Sequence, residues 1–385
     1  MSDPTIWRVH GTPLLPRVSP GPLDGLGVAV KDVFAVGGFG VGAGNPRWLA
    51  QAPAETADAW AVAALRRAGA AVNGIAQTDE LAFSLSGVNA HYGTPPNAAA
   101  PALVTAGSSS GPAAAVASGQ ADIGLGTDTA GSIRVPASVC GLFGMRPTHG
   151  AVPADGVLHL APSFDTVGWL AADPSVLRAV GSVLLGSSGD PRPPHPPRRL
   201  MSIDHTNDFA YHLSGMLGAE VCPPGASIPP VRGPDMTELL TAFRIVQAAE
   251  AWQLHGRWIT ANPGALHPDV EARFRVGADV DAGTRRRAAE VIAAYRTRTL
   301  DALGEDTWLV LPAAAGPGHT RDASRAGMDA WRQATLRHTV IASAFGLPSC
   351  VVPGGTRPPV GTALVGPPGA DHALLHAVTI ACPPR

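Results

Sequence analysis

The sequence predicts an α/β protein with a large mixed, mostly parallel twisted sheet that is covered by helices on both faces. Short buried apolar runs typical of strands recur along the chain. Near the beginning they alternate with segments of helical apolar spacing, and such alternation favours a parallel sheet. The 385 residues, 45% of them hydrophobic, are enough to bury a large core. This length alone suits one large α/β domain or two smaller ones.

The first part of the chain predicts two strand–helix units. Residues 27–30 form a buried apolar run that ends at Lys31 and Asp32. Apolar residues at helical spacing predict a helix over 56–68, with Thr56 as its N-cap and Gly69 at its end. Residues 71–76 predict the next strand, and 78–86 predict a helix capped by Thr78.

The remaining elements follow in order along the chain. A helix of small residues is predicted over 111–119, followed by a strand over 123–126. The Pro-rich stretch 188–199 is typical of a surface loop or linker. Two long helices are predicted after it, over 236–258 and 270–303. Three further strands are predicted to rejoin the sheet, over 308–311, 349–352 and 362–365.

Composition and charge exclude several classes of function. The formal charge of −2 and the pI near 6.7 indicate neither a nucleic-acid partner nor a membrane surface. The basic run Arg285-Arg286-Arg287 is typical of a solvated helix face. The chain begins without an apolar leader and contains no apolar run long enough to span a bilayer. We therefore expect a cytoplasmic protein.

The cysteines and histidines indicate no metal site. The four cysteines show no CxxC or Cys/His ligand spacing, and the 13 histidines form no metal-binding pattern. Reduced thiols are expected in a chain of this length, rather than a disulfide framework. We expect neither a metal nor any other cofactor.

Lys31 is the unusual residue, because it is the single lysine among 28 basic side chains. Arg replaces Lys at most solvated positions, but only Lys can readily lose its proton and act as a base. A pressure toward arginine explains the other 27 positions but not this one. Lys31 is therefore a candidate catalytic residue from composition alone.

Two serine-containing segments could supply a nucleophile. The first, 107–111, matches G-x-S-x-G with Ser109 at its centre. A Ser/His/Asp mechanism there would need a downstream base such as His338 or His372. A turn of small residues between two elements explains the same segment equally well.

The second segment, 126–136, contains Ser132 in a turn of small residues. Backbone N–H groups of Thr129, Ala130, Gly131 and Ser132 can point at one spot there and form an oxyanion hole. Asp128 and Arg134 stand on either side of this turn, where they could pair and brace it.

Together, Lys31 after a Gly-Val-Ala-Val run, the segment 107–109 and the segment 128–134 resemble the amidase signature family. The two catalytic serines of that family lie 24 residues apart, which is the separation of Ser108 and Ser132. Four segments resemble its short indole-3-acetamide hydrolase branch: 44–46, 89–95, 107–111 and 163–169. The sequence departs from the family pattern at Ala106, Ser110, Pro112 and Ala130.

The resemblance implies an amidohydrolase with a Ser–cis-Ser–Lys catalytic set. Ser132 would form an acyl-enzyme with a small carboxamide, such as indole-3-acetamide or another aryl or alkyl primary amide. Ser108 and Lys31 would relay its proton. Asp128, Arg134 and Ser109 would have supporting roles, and the 107–108 peptide is expected to be cis. Ala130 preserves the oxyanion hole unless a positive φ is required there.

The resemblance also implies a single domain over 1–385. Its catalytic core is expected at about 25–185 and 305–385, and a variable helical region at about 200–304 would shape the substrate pocket. Two alternatives stay open: a non-catalytic amidase-like binding module, and an amidotransferase-type subunit of a larger complex. The sequence leaves open whether the protein is a monomer or a homodimer.

Overall fold

A computed structural model describes residues 2–186, 196–202, 208–222 and 234–383. Eleven strands form a single sheet in the order β1-β3-β2-β4-β6-β5-β10-β11-β9-β7-β8. The strands are β1 (Trp7–Leu15), β2 (Gly27–Lys31), β3 (Ala71–Ala76), β4 (Ile123–Asp128), β5 (Phe143–Arg146), β6 (Thr166–Ala171), β7 (Arg199–Ser202), β8 (Glu220–Val221), β9 (Thr307–Pro312), β10 (Ser349–Val352) and β11 (Thr362–Val365). The helices are α1 (Pro46–Leu49), α2 (Trp60–Arg67), α3 (Ser110–Ala117), α4 (Arg134–Cys140), α5 (Pro174–Leu184), α6 (Asp208–Leu217), α7 (Pro234–Ala261), α8 (Pro268–Arg275), α9 (Ala282–Leu303), α10 (Arg325–Phe345) and α11 (Asp371–Ala381).

Alternate strand residues enter two different hydrophobic cores, so both faces of the sheet are covered. On β9, Leu309 and Leu311 belong to the core beneath α3, α4, α7, α9 and α10. Trp308 and Val310 point the other way, into the core beneath α2, α5, α6 and α11. This alternation follows from the two-residue period of a strand. The predicted α/β fold with helices on both faces is confirmed.

The sheet is mixed as predicted, but the expectation of a mostly parallel sheet is wrong. Of its ten neighbouring pairs in the described residues, four are parallel and six are antiparallel. The connections β5–β6 and β10–β11 contain no helix, and antiparallel neighbours can be joined without one. Strands buried on both faces show the same apolar run in either direction, so the sequence pattern does not reveal this.

The helix predicted over 56–68 begins four residues later than expected, and Thr56 is not its N-cap. Helix α2 starts at Trp60 because the preceding residues pair with the loop 35–39. The Ala59 amide donates to the Ala35 carbonyl at 2.8 Å, and the Asp58 carboxylate accepts from the Gly37 amide at 2.9 Å. These contacts hold the chain extended up to Ala59.

The helix predicted over 78–86 is also wrong, since only a 3₁₀ turn, Glu80–Ala82, forms there. Leu81 and Ala82 have φ of +45° and +57°, which a helix does not allow. The Thr78 hydroxyl donates to the Ser108 carbonyl at 2.8 Å instead of capping a helix. This segment is shaped by its contacts with the residues around Ser108.

The helix predicted over 270–303 is divided into two. Helix α8 ends at Arg275, a 3₁₀ turn covers Val276–Asp279, and α9 starts after Asp281, whose side chain caps it at the Thr284 amide. The other predicted helices and strands form close to their expected bounds. Most of the predicted linker, 187–195, lies outside the described residues.

The expectations about membrane spans and cysteines can be compared with the described residues. Within them, no helix is both long enough and apolar enough to cross a bilayer. All four cysteines are free thiols, and Cys140 and Cys350 are buried.

Candidate active site

Lys31 and Asp128 end two neighbouring parallel strands, β2 and β4, at the same edge of the sheet. The Lys31 side chain is fully buried. Its Nζ lies 2.9 Å from the Ser108 Oγ and 2.8 Å from the Thr127 Oγ1. Ser108 precedes α3, which packs over β4. The fold thus brings Lys31 into direct contact with Ser108, across 77 residues of sequence.

Burial changes the protonation of Lys31. Desolvation lowers the pKa of its amine from 10.5 to about 7, against the opposing charges of Asp79, Asp165 and Asp128. A buried site disfavours the charged ammonium, whereas nearby carboxylates favour it. At neutral pH a substantial fraction of Lys31 is therefore an uncharged amine with a lone pair.

The segment around Ser108 is held by Thr78 and Asp79. The Gly107–Ser108 peptide bond is cis, and the Ser108 carbonyl accepts from the Thr78 hydroxyl. A Cβ at Gly107 would lie 2.5 Å from the Asp79 carboxylate oxygens, so this position requires glycine. The Asp79 carboxylate also accepts from the Gly87 amide at 3.0 Å and the Ser110 hydroxyl at 3.2 Å.

The Asp128 carboxylate organises the turn that carries Ser132. It accepts hydrogen bonds from the backbone amides of Gly131 and Ile133, and from the Arg134 guanidinium at 3.0 and 2.8 Å. The Arg146 guanidinium lies 2.9 Å from the same carboxylate. Burial alone would raise the pKa of Asp128, but the two guanidinium groups hold it well below its ordinary value.

The structure revises one part of the predicted oxyanion hole. The Gly131 N–H donates to Asp128 Oδ1 at 2.9 Å, so it is not free to bind an oxyanion. Within the part of the chain that the structure describes, the amides of Thr129, Ala130 and Ser132 donate to no protein acceptor. The residue with positive φ in this turn is Gly131, at +128°, and Ala130 is not strained. Replacement of the usual glycine by Ala130 is therefore compatible with the turn.

A second layer of contacts supports the turn from the other side. The Thr129 hydroxyl donates to Asp165 Oδ1 at 2.6 Å, and Asp165 Oδ2 accepts from the amides of Leu160 and Ala161. The Thr339 hydroxyl donates to the Ala130 carbonyl at 2.6 Å. Both partners come from distant elements, so the position of the turn depends on the complete fold.

Ser132 lines a small inner cavity of about 30 Å³. A larger outer cavity of about 390 Å³ lies beside it, and the two share Ser84 and Arg332 in their walls. Phe83, Leu160 and Leu336 provide an apolar lining near Ser132. Arg332 thus lies between the outer cavity and the cavity of Ser132.

The predicted supporting residues take defined places. Asp128 pairs with Arg134 as expected, at 2.8 Å. Ser109 is fully buried, and its hydroxyl donates to the Thr127 carbonyl at 3.3 Å. This contact gives Ser109 a structural role and speaks against Ser109 as the nucleophile of a G-x-S-x-G elbow, because that serine must be accessible.

Sequence reasoning missed four residues of the site: Asp79, Thr127, Asp165 and Thr339. Three of them lie within or beside segments that were recognised, but nothing in the local pattern distinguishes a bracing hydroxyl or carboxylate from a solvated one. Thr339 lies on α10, more than 200 residues away, and gives no local signal.

Comparison with known proteins finds similarity in sequence and in fold. A family model described as Amidase matches residues 15–211. Amidase 1 of Arabidopsis thaliana is 35% identical, with 97% of this chain and 96% of the relative covered. The translocon at the outer membrane of chloroplasts 64 of Pisum sativum is 31% identical, with 94% of this chain and 66% of the relative covered. A solved amidase structure superposes with a TM-score of 0.80 at 28% identity, covering 94% of this chain and 84% of that one.

The chain belongs to the amidase family, whose fold and sequence pattern it shares over nearly its whole length. It is an amidase, a hydrolase that acts on linear carbon–nitrogen amide bonds.

Proposed function

We propose that the protein hydrolyses a small carboxamide to a carboxylic acid and ammonia, through an acyl-enzyme on Ser132. The observation that carries the proposal is the buried contact of 2.9 Å between the Lys31 amine and the Ser108 hydroxyl. An amine with a pKa of about 7 is matched to a general base at neutral pH.

The proposed proton path starts at Lys31. The uncharged amine takes the Ser108 proton, Ser108 takes the Ser132 proton, and the Ser132 oxygen attacks the amide carbonyl. Thr127 supports this step, because its hydroxyl oxygen can accept an N–H of the amine and leave the lone pair directed at Ser108. The amides of Thr129, Ala130 and Ser132 would stabilise the resulting oxyanion.

The second half of the reaction returns the protons. The protonated relay gives a proton to the leaving nitrogen, the carbon–nitrogen bond breaks, and ammonia departs. Water then attacks the ester of Ser132, loses a proton to the same relay and releases the acid. No further co-reactant is needed.

The substrate is the finer part of the proposal. The inner cavity is too small for an aromatic ring, so the indole of indole-3-acetamide would have to occupy the outer cavity. That cavity is lined largely by α8 and α10, within and just beyond the helical region expected to shape the substrate pocket. In this proposal the reacting amide group reaches Ser132 through the inner cavity, and the acyl group extends into the outer cavity.

Ser132→Ala tests the proposal, with ammonia release measured for indole-3-acetamide, benzamide and short aliphatic amides. We expect turnover to fall by at least about 10⁴-fold, because the nucleophile is lost. Ser118→Ala is the matched control, since Ser118 lies at the exposed end of α3, where its hydroxyl donates to the Ala114 carbonyl and accepts from the Gln120 side-chain amide.

Trapping of the intermediate gives an independent result. With hydroxylamine present, the wild-type protein should convert part of the substrate to a hydroxamate, because hydroxylamine competes with water for the acyl group. Undiminished ammonia release by Ser132→Ala, or the absence of hydroxamate from an active enzyme, would overturn the proposal.

A further inference from the structure

The outer cavity contains two arginines whose charges are incompletely neutralised. Arg273 lies on α8 and Arg332 on α10, and both line this cavity. In the described part of the chain, the buried Nε atoms of both guanidinium groups have no hydrogen-bond partner. A buried N–H without an acceptor is costly, so this arrangement favours a bound acceptor.

The two guanidinium groups also disfavour each other. Desolvation and the charge of Arg332 both lower the pKa of Arg273. The acidic groups Asp79, Asp329 and Asp269 act on Arg273 only through space, and they do not cancel the effect. Two neighbouring cations that are partly withdrawn from water attract an anion placed between them.

The other charges of the cavity are already engaged. Arg325 is paired with Asp269 at 2.6 Å. The Glu80 carboxylate accepts from the Asn45 side chain at 2.9 Å and the His267 amide at 3.1 Å. Asp329 Oδ1 lies 3.4 Å from Arg332 Nε, without the geometry of a hydrogen bond, and its side chain is half exposed. Among the described residues, Arg273 is therefore the cavity arginine without a paired carboxylate, and Arg332 is only weakly paired.

Arg332 also connects this charge to the nucleophile, because it lines both the outer cavity and the inner cavity of Ser132. A substrate whose amide reaches Ser132 would extend its acyl chain past Arg332 and toward Arg273. Trp331 and Met328 line the same cavity and can cover the apolar part of such a chain.

We propose that the preferred substrate is an amide of a dicarboxylic acid, whose free carboxylate is bound between Arg332 and Arg273 while its amide reaches Ser132. This inference rests on the proposed function of the Ser132 site. The substrate would then be a short acyl chain with an amide at one end and a carboxylate at the other.

The first test compares ω-carboxy primary amides (succinamate, glutaramate and adipamate) with their neutral methyl esters and with indole-3-acetamide. We expect kcat/KM to be higher for at least one of the acids than for its ester by about 10- to 100-fold, as for a charge-assisted contact. Equal kcat/KM for acids and esters would overturn the inference while leaving the amidase activity in place.

Variants assign the effect to the two arginines. Arg273→Gln and Arg332→Gln should each lower the ratio of kcat/KM for the acid to kcat/KM for the ester by about tenfold or more. Arg337→Gln is the matched control, because Arg337 is an exposed residue of α10 outside both cavities. An equal decrease in kcat/KM for the acid and for the ester in both variants would contradict a role in carboxylate binding.

Binding separates this inference from the proposed function. Succinate, glutarate and adipate should bind to Ser132→Ala in calorimetry, and binding should weaken by about tenfold or more in Ser132→Ala proteins that also carry Arg273→Gln. Binding without any turnover by the wild type would uphold the anion site and overturn the amidase mechanism. Turnover of neutral amides without dicarboxylate binding would uphold the amidase mechanism and overturn the anion site.

Discussion

The Lys31 amine lies 2.8 Å from the Thr127 hydroxyl oxygen, as close as it lies to its proposed relay partner Ser108. Thr127 belongs to β4 and is buried, so its hydroxyl is fixed by the sheet. Thr127 therefore orients the Lys31 amine by accepting one of its N–H groups. It takes no part in the proposed proton path, which runs through Ser108.

Thr127→Val removes this acceptor with little change in shape. We expect kcat to fall by about tenfold, the usual weight of one lost hydrogen bond to a charged or reacting group. The apparent pKa of the activity profile should also fall, because the hydroxyl oxygen stabilises the ammonium form. Circular dichroism and KM should be nearly unchanged. A profile with an unaltered pKa would indicate that Thr127 only fills space.

The pH dependence of activity should follow the titration of Lys31. Because the folded pKa of the amine is about 7, kcat/KM should rise with pH through that value as the amine loses its proton. Lys31→Arg should be inactive at every pH, since arginine does not deprotonate. Isotope-labelled lysine gives a single side-chain signal in this protein, because Lys31 is its one lysine, so its NMR titration needs no assignment. A side-chain pKa near 10.5 would contradict the general-base role.

The same shift makes stability depend on pH. The folded pKa of Lys31 lies below its unfolded value of 10.5, so the unfolded chain binds more protons between about pH 7 and 10.5. Burial of this amine therefore destabilises the fold fully below pH 7, and the cost disappears as the pH rises to 10.5. The free energy of unfolding of Lys31→Met, relative to the wild type, should decrease over this window by on the order of 4 kcal/mol. Chemical denaturation at a series of pH values measures it, and a constant difference would contradict the buried titration.

Asp128→Asn should destabilise the protein strongly, because Arg134 and Arg146 would lose their buried counter-charge. Removal of one member of a buried ion pair costs about 3–5 kcal/mol. Asp24→Asn breaks an exposed pair with Arg17 and should cost less than about 1 kcal/mol. Equal unfolding free energies for the two variants would show that the Asp128 cluster is not held as described.

Asp165→Asn tests the outer support of the Ser132 turn. An amide cannot replace both carboxylate oxygens, which accept from the Thr129 hydroxyl and from two backbone amides. We expect kcat to fall by about 10- to 100-fold with a smaller change in KM, since misplacement of the oxyanion donors affects the transition state more than the ground state. Steady-state kinetics measures this. An equal loss in Ser175→Ala, a change at the exposed start of α5, would point to a general effect instead.

Features that depend on neighbouring residues could be predicted from the sequence, whereas features that depend on distant residues could not. The strand before Lys31, the small-residue helix and the Asp128–Arg134 pair were predictable because local patterns define them. The start of the helix predicted over 56–68 and the whole helix predicted over 78–86 were wrong because both segments bond to distant loops. The occupied Gly131 amide was missed because a carboxylate three residues away competes for it.

The substrate side of the site was less predictable still. Arg273 and Arg332 lie 59 residues apart on two different helices, and arginine supplies 27 of the 28 basic residues, so neither stands out in the sequence. What distinguishes them is that two arginines with unpaired Nε atoms line the same cavity.

Because Lys31 is buried, its susceptibility to proteolysis can be used to measure how often the core of the protein unfolds locally. A lysine-specific protease has one cleavage site in this chain, at the end of a central strand that no enzyme can reach while the sheet is closed. Cleavage therefore requires disruption of the sheet around β2, and every cut yields the same pair of fragments. The appearance of those fragments on a gel would follow the opening of the core at the catalytic amine itself, without any label.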